Sequence, residues 1–475
     1  MTYNSKDISK GLFWSAVDKF GFVALQLVLE LILARLLLPR DYGVIAIVLV
    51  FVTLSLTLTE GGFSNALIQK LNRTEKDFST VFYFNILAAA IIYLVIFLAA
   101  PSVEAFFNIE NLATILRVVS LSIIFNSSIM VHKAKLSIAM DFRLQAKYSL
   151  LSVFLSGGVA VWLAFDGYGV WALVYQNLLM TLFNALFLWI GYRWIPDWVF
   201  SFNSLKSLLS FGSKIMISAI IQAVYFNAYP ILIGRVLRTA DLGLYTKASQ
   251  FTQMPASVLT NVLQRVLFPF FSSHQNDNDK LFQLNQFYTT VCCLIFFPLF
   301  FIMAAIAQPL IIFLFSEVWA DMAPVFTLLC MGYAFYPLIV NNMMLFQVKN
   351  KTTLFLKIEV ITKIIGFAIL LLTVKHGIIA IGYGILIQQV LQFLITSFFA
   401  QTVLNKSLLN QIAIVSPPFL ISFAIFVAVH FLVKDVETIV VQLIIGSTLA
   451  LVSYGLIYFL FYRNTIRSII AMVKK

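Results

Sequence analysis

The chain has 475 residues, 61% of them apolar and 11% charged, where a soluble domain carries about 25% charged residues. Apolar stretches of about 20 residues, the length that crosses a bilayer as a helix, recur from end to end, and alternating strands of about ten residues are absent. A soluble protein and an outer-membrane barrel are therefore excluded, and the formal net charge of +12 has to be explained by where the charges lie.

In lipid, only helices satisfy every backbone polar group within one segment, so an all-α integral membrane protein is expected. Fourteen spans are read from the sequence, at roughly 11–34, 42–60, 81–100, 112–131, 148–165, 169–192, 211–234, 245–268, 284–306, 323–346, 354–374, 378–402, 412–432 and 438–461. The first run is longer than a signal-peptide core and no small-residue cleavage site follows it, so it is read as a retained helix. It carries Asp18, Lys19 and Glu30. At about 100° per residue, Ser15, Lys19, Gln26 and Glu30 fall within a narrow arc. Such a stripe suits a wet cavity between helices; buried polar pairs between helices are the alternative.

The second span ends at Glu60, and the fourth carries Arg117, Ser120, Asn126 and Ser127. Gln176, Asn177 and Asn184 in the sixth span suit sugar hydroxyls or interhelical hydrogen bonds, as do Gln388, Gln389 and Gln392 in the twelfth. The seventh repeats the polar stripe of the first, with Lys214, Ser218, Gln222 and Tyr225. Lys247 and Arg265 lie in the eighth, and the tenth carries Pro324 and Pro337. In the eleventh, Glu359 precedes Lys363 by four residues, the order that favours an ion pair on one helix. The three cysteines (Cys292, Cys293, Cys330) and four scattered histidines form no disulfide framework or metal-ligand spacing.

With the N-terminus inside, one set of connections holds nineteen Lys and Arg, and the opposite set holds six (Arg35, Arg40, Arg235, Arg238, Lys375 and Lys434). The positive-inside rule then places both termini in the cytoplasm and accounts for most of the net charge without nucleic acid. Lys133 and Lys135 are counted among the cytoplasmic connections. The outer connections run to about 5–15 residues, ordinary for short loops. That leaves no room for a soluble catalytic domain, so no enzyme is expected.

Arg35, Leu37, Asp41 and Gly43 recur as Arg235, Leu237, Asp241 and Gly243, a shift of 200 residues. The echo divides the chain into an N-terminal lobe, 1–200, and a second lobe, 201–404, of six spans each. Residues 405–475 add two spans and a cytoplasmic tail. Duplicated bundles favour a transporter with its site between the halves. Asp41 and Asp241 are expected to cap the helices that follow, and Gly43 and Gly243 to ease the turn before them.

At membrane depth, six bases (Lys19, Arg117, Lys214, Lys247, Arg265 and Lys363) stand against four acids (Asp18, Glu30, Glu60 and Glu359). The basic excess points to an anionic substrate such as a phosphate. Lys19, Gln26, Arg117, Lys214, Gln222, Arg265 and Lys363 are the cavity candidates. With no P-loop to hydrolyse ATP, the driving force is an ion or substrate gradient, and the four acids are the ion-coupling candidates. No cofactor or metal is expected.

The segments KGLFWSAVDKF, LARLLLPRDYGVIA, TEGGFSNALIQK, IGRVLRTADLGLYTKASQFTQMPASVL and FPFFSSHQND resemble the polysaccharide-exporting branch of the multidrug/oligosaccharidyl-lipid/polysaccharide flippase superfamily, the colanic-acid-exporter-like and O-antigen flippases in particular. The resemblance spans nearly the whole chain. It implies two lobes that alternate between inward and outward openings in the bacterial cytoplasmic membrane. The implied cargo is an undecaprenyl-diphosphate-linked oligosaccharide for surface polysaccharide, and polymerase or chain-length machinery are the implied partners beside membrane lipids. Related peptidoglycan-precursor flippases carry an EGxFS element like Glu60–Ser64 and use cavity arginines for the diphosphate. Here Lys19 and Lys214 stand on the corresponding helices, so the arginine roles do not transfer. An ion-coupled multidrug exporter of the same superfamily is the rival reading, and it expects acids to dominate the cavity.

Overall fold

The computed structural model describes residues 5–434 and 436–463, with side chains from Phe13 onward except at 211, 214, 215, 218 and 266. The described residues form helices and turns with no strand. The chain divides into two compact units, 1–243 and 244–475.

The first unit holds α1 (Ser5–Leu36), α2 (Pro39–Glu60), the short α3 (Phe63–Gln69), α4 (Glu75–Phe107), α5 (Leu112–Ile138), α6 (Phe142–Phe165), α7 (Val170–Tyr192) and α8 (Phe202–Val236). Helix α9 (Thr239–Ser273) begins in the first unit and continues in the second. The second unit continues with α10 (Asn278–Ala305), α11 (Ala307–Leu314), a short 3-10 turn, α12 (Ala323–Tyr333), α13 (Tyr336–Val348), α14 (Thr352–Thr373), α15 (Ile378–Val403), α16 (Leu408–Val433) and α17 (Ile439–Phe461). Each of the fourteen expected spans overlaps a helix. The tenth is two helices that part at 334–335, just before Pro337 in the first turn of α13; Pro324 lies in the first turn of α12, where a missing N–H likewise costs nothing.

Among the described residues, eleven helical segments are long and apolar enough to cross a membrane. The other long helices carry charge along their length: Asp18, Lys19 and Glu30 in α1, Lys247 and Arg265 in α9, and Lys357, Glu359 and Lys363 in α14. Helix α4 shows the lipid-facing character of the bundle, with Leu87, Ile91, Leu94, Val95 and Leu98 all exposed. Exposed apolar rows of this kind are tolerable only where hydrocarbon replaces water.

In the first unit, α5 packs on α4 and α7, α6 on α1 and α7, and α8 on α2, α3 and α4. In the second, α10 packs on α12 and α16, and α15 on α12, α13 and α14. The division at 243 follows this packing, which sets α8 beside α2, whereas the boundary near 200 follows the sequence echo.

Asp41 and Asp241 do serve their helices, from inside the first turn. Asp41 Oδ2 accepts from the Leu38 backbone N–H at 3.0 Å, and Asp241 Oδ2 from that of Arg238 at 3.3 Å. Each reaches back to an amide that the helix leaves unsatisfied. The glycines of the echo do something other than ease a turn, because both lie inside helices. A Cβ on Gly43 would meet the Thr239 carbonyl oxygen at 1.8 Å, and one on Gly243 would meet that of Pro39 at 1.8 Å. The starts of α2 and α9 therefore touch backbone to backbone, an approach only glycine permits.

The other end of α2 is pinned in the same manner. The helix stops at Gly61 and Gly62, whose φ values of 49° and 73° are left-handed and open to glycine at little cost. A Cβ on Gly62 would lie 2.6 Å from the Gly212 carbonyl oxygen, and one on Gly212 would lie 2.7 Å from that of Gly61. Both ends of α2 thus meet the first two helices of the second repeat.

Candidate functional site

Three helices of the first unit bring charged groups near one another, and a fourth adds a hydroxyl. Asp18 on α1, partly buried, accepts a hydrogen bond from the Ser149 hydroxyl on α6. Glu60 ends α2. Lys133, on the last turns of α5, lies within the field of both carboxylates. Lys19, beside Asp18, is exposed. Helix α1 also meets α6 through the Arg143 guanidinium, 5.5 Å from the centre of the Trp14 ring.

The fourth span as read from the sequence ends at 131, which leaves Lys133 in a connection. In the structure α5 continues to Ile138, which puts Lys133 on a helix. Its face was readable: Ser122, Asn126 and Lys133 lie within about 40° of one another at helical spacing. Lys135 faces elsewhere. Its ammonium holds both oxygens of Glu75 at 2.7 Å, and it lies 4.5 Å from the Phe78 ring and 4.8 Å from the Trp194 ring.

The other sequence candidates separate by environment. Gln26 donates to Glu30 at 3.4 Å, and Glu30 lies against the Tyr42 hydroxyl, so this part of the α1 stripe faces α2. Gln222 and Arg265 are exposed on α8 and α9. The Lys214 side chain lies outside the described residues. Lys363 pairs with Glu359 at 2.7 Å, as their spacing suggested.

Arg117 is committed to a structural task. Its Nε donates to the Phe97 carbonyl at 3.1 Å, with the guanidinium 4.3 Å from the Phe97 ring centre. Pro101 inside α4 has no N–H to give that carbonyl; Arg117 supplies the missing donor. The same remedy occurs in the second unit, where Pro298 leaves the Leu294 carbonyl open and the Tyr458 hydroxyl donates to it at 3.1 Å.

The second unit also holds a buried neutral network that the sequence reading missed. Asn342 donates to Ser397 at 3.0 Å and accepts from Gln411 at 3.0 Å; Gln401 donates to Gln411 at 3.3 Å, and Asn341 donates to Asn285. These contacts tie α10, α13, α15 and α16 together. In a lipid-surrounded bundle, such hydrogen bonds fix which helices associate. The three cysteines are buried and free, and among the described residues no cluster of potential metal ligands occurs.

Residues 32–324 match the family described as polysaccharide biosynthesis protein. The chain belongs to this family. Within it, the succinoglycan biosynthesis transport protein ExoT of Rhizobium meliloti is 30% identical over 331 residues, covering 70% of this chain and 67% of its own. The lipopolysaccharide biosynthesis protein WzxC of Escherichia coli is 26% identical over 340 residues, covering 70% and 67%. The solved structure titled lipid II flippase MurJ, inward closed conformation, superposes with a TM-score of 0.72 at 14% identity over 94% of this chain and 99% of that one. At that identity the likeness establishes the fold. The superfamily resemblance drawn from the sequence motifs is borne out, and this polysaccharide-biosynthesis family member is a multi-pass helical membrane protein of the transporter fold.

Proposed function

We propose that the protein flips polyprenyl-diphosphate-linked oligosaccharide units from the cytoplasmic to the outer leaflet of the bacterial inner membrane, for assembly of a surface polysaccharide. The observation that carries this reading is the match of residues 32–324 to the polysaccharide biosynthesis family in an all-helical bundle whose relatives are named for polysaccharide transport. A sugar headgroup cannot cross hydrocarbon, while its polyprenyl tail can remain there. The protein therefore needs a polar route with cations for the diphosphate, and no catalytic step. Lys133 and Lys19 supply those cations.

Asp18 and Glu60 are the coupling groups. With no substrate present they share Lys133. Once the diphosphate has left on the outer side, Asp18 and Glu60 take up protons there and give them up to the cytoplasm after the emptied protein turns inward, which ties the return step to a proton gradient. The two glycine contacts at the ends of α2 are the closures that open in turn. Helices α1, α9 and α14 also cross the membrane, which gives fourteen passes with both termini in the cytoplasm. Polysaccharide polymerase and chain-length machinery are the partners that consume the flipped unit. Drug export is the weaker reading, because the relatives are named for polysaccharide transport.

The reading is tested by deleting the protein in a strain without a redundant flippase and locating its lipid-linked repeat units. Accumulation on the cytoplasmic leaflet is expected. Normal surface polysaccharide together with altered drug susceptibility would replace this reading with the drug-export one.

A further inference from the structure

An apolar crevice of about 230 Å³ opens on the first unit between α2, α4 and α8. Its lining is Phe51 from α2, Ala99, Ser102, Val103, Phe106 and Phe107 from α4, and Ile231 from α8. The α4 residues follow helical spacing, so they form one continuous stripe. The volume is below the roughly 300–1,000 Å³ of pockets that enclose a whole drug-sized ligand, and a segment of hydrocarbon chain suits it.

One cation stands at its mouth. Arg235, exposed on α8, follows Ile231 by four residues and so shares its face. Its guanidinium lies 4.9 Å from the ring centre of the crevice residue Phe106. The Glu104 carboxylate is engaged at the start of α5, where its Oε2 accepts from the Ala113 backbone N–H at 2.7 Å. The crevice is therefore apolar along its length and positive at the end of the bundle that carries the α8–α9 turn.

We propose that this crevice binds the polyprenyl chain of the lipid-linked substrate next to its phosphate, with Arg235 holding the phosphate and Phe51, Phe106 and Phe107 lying against the isoprene units. The charge at the rim selects a phosphate-headed lipid. The aromatic lining and the sharing of α8 with the polar stripe at Gln222 and Tyr225 favour the polyprenyl carrier over a bulk phospholipid. The proposal rests on the flippase reading and adds a resting place for the tail, separate from the Lys133 cluster.

The test uses full-length protein in nanodiscs of neutral lipid and measures retention of undecaprenyl phosphate, undecaprenol and phosphatidylglycerol by native mass spectrometry. Wild type is expected to prefer undecaprenyl phosphate to undecaprenol about tenfold. Arg235→Gln should abolish that preference while still retaining undecaprenol. Ala99→Trp, which fills the crevice, should lower retention of both polyprenyl lipids. Leu372→Trp, on an exposed face of α14, should change nothing. Wild-type retention in both Arg235→Gln and Ala99→Trp would overturn the proposal, as would equal retention of phosphatidylglycerol. Flipping of lipid-linked oligosaccharide by the same preparations separates the two claims. Normal flipping with unaltered variant binding sinks the crevice alone. Crevice binding without any flipping by wild type sinks the flippase reading.

Discussion

Adding one methyl group at Gly43 should force open one end of the first unit. The new Cβ would sit 1.8 Å from the Thr239 carbonyl oxygen and 2.8 Å from its carbon. A close C–H···O contact needs about 3.3 Å, so the starts of α2 and α9 must part by roughly 1.5 Å. The obstructing atoms are backbone, so no rotamer change relieves them. Overpacking of this kind costs about 1–3 kcal/mol. Charged against the closed arrangement alone, that shifts an open–closed equilibrium about 5–150-fold. Leu242 is fully buried beside this contact, and the three native cysteines are buried. Leu242→Cys therefore reports opening through its rate of maleimide labelling. Gly43→Ala should raise that rate by the stated factor and slow flipping, because the end can no longer close fully. Gly158→Ala is the control, since a Cβ there meets nothing within 4 Å. Unchanged labelling in Gly43→Ala, with normal protein abundance, would refute the claim that this contact closes the end.

Three further outcomes are expected. Lys133→Ala should lower flipping at least about tenfold at normal abundance, as loss of a partly buried charge partner does, and Lys133→Arg should recover part of it; a fully active Lys133→Ala would remove the cation from the mechanism. Arg117→Ala should destabilise the protein by about 1–3 kcal/mol by leaving the Phe97 carbonyl unsatisfied, seen as a lower unfolding temperature, while each folded molecule flips at the normal rate. Restoring the amide with Pro101→Ala should recover part of that loss in the double mutant, and strict additivity would contradict the account of Arg117. In the second unit, Asn342→Leu and Gln411→Leu should each cost about 1–3 kcal/mol and together less than their sum, because they break one network; additive losses would mean the two amides act separately.

The helices were legible because each apolar run announces itself through length and hydropathy, and lipid forces those runs to be helical. The break at 334–335 has its signal in Pro337, in the first turn of α13. Lys133 was hidden by its neighbours: a basic stretch near a helix end reads as a loop unless its face is traced back to Asn126. Arg117 was legible as a costly charge, but its task depends on Pro101, sixteen residues away on another helix. The network in the second unit gave no signal, since Asn, Gln, Ser and Thr are common and only packing shows which of them meet. The 200-residue echo includes Gly43 and Gly243, and their role as a backbone contact appeared only once the starts of α2 and α9 were placed side by side.

The central claim is tested most directly in proteoliposomes holding the purified full-length protein and a polyprenyl-diphosphate-linked oligosaccharide, with leaflet position read by accessibility of the sugar to an impermeant oxidant or lectin. The account predicts protein-dependent movement of the sugar between leaflets, faster with a proton gradient and lost in Lys133→Ala. Folded wild-type protein that leaves the oligosaccharide in its original leaflet, with or without a gradient, would contradict it.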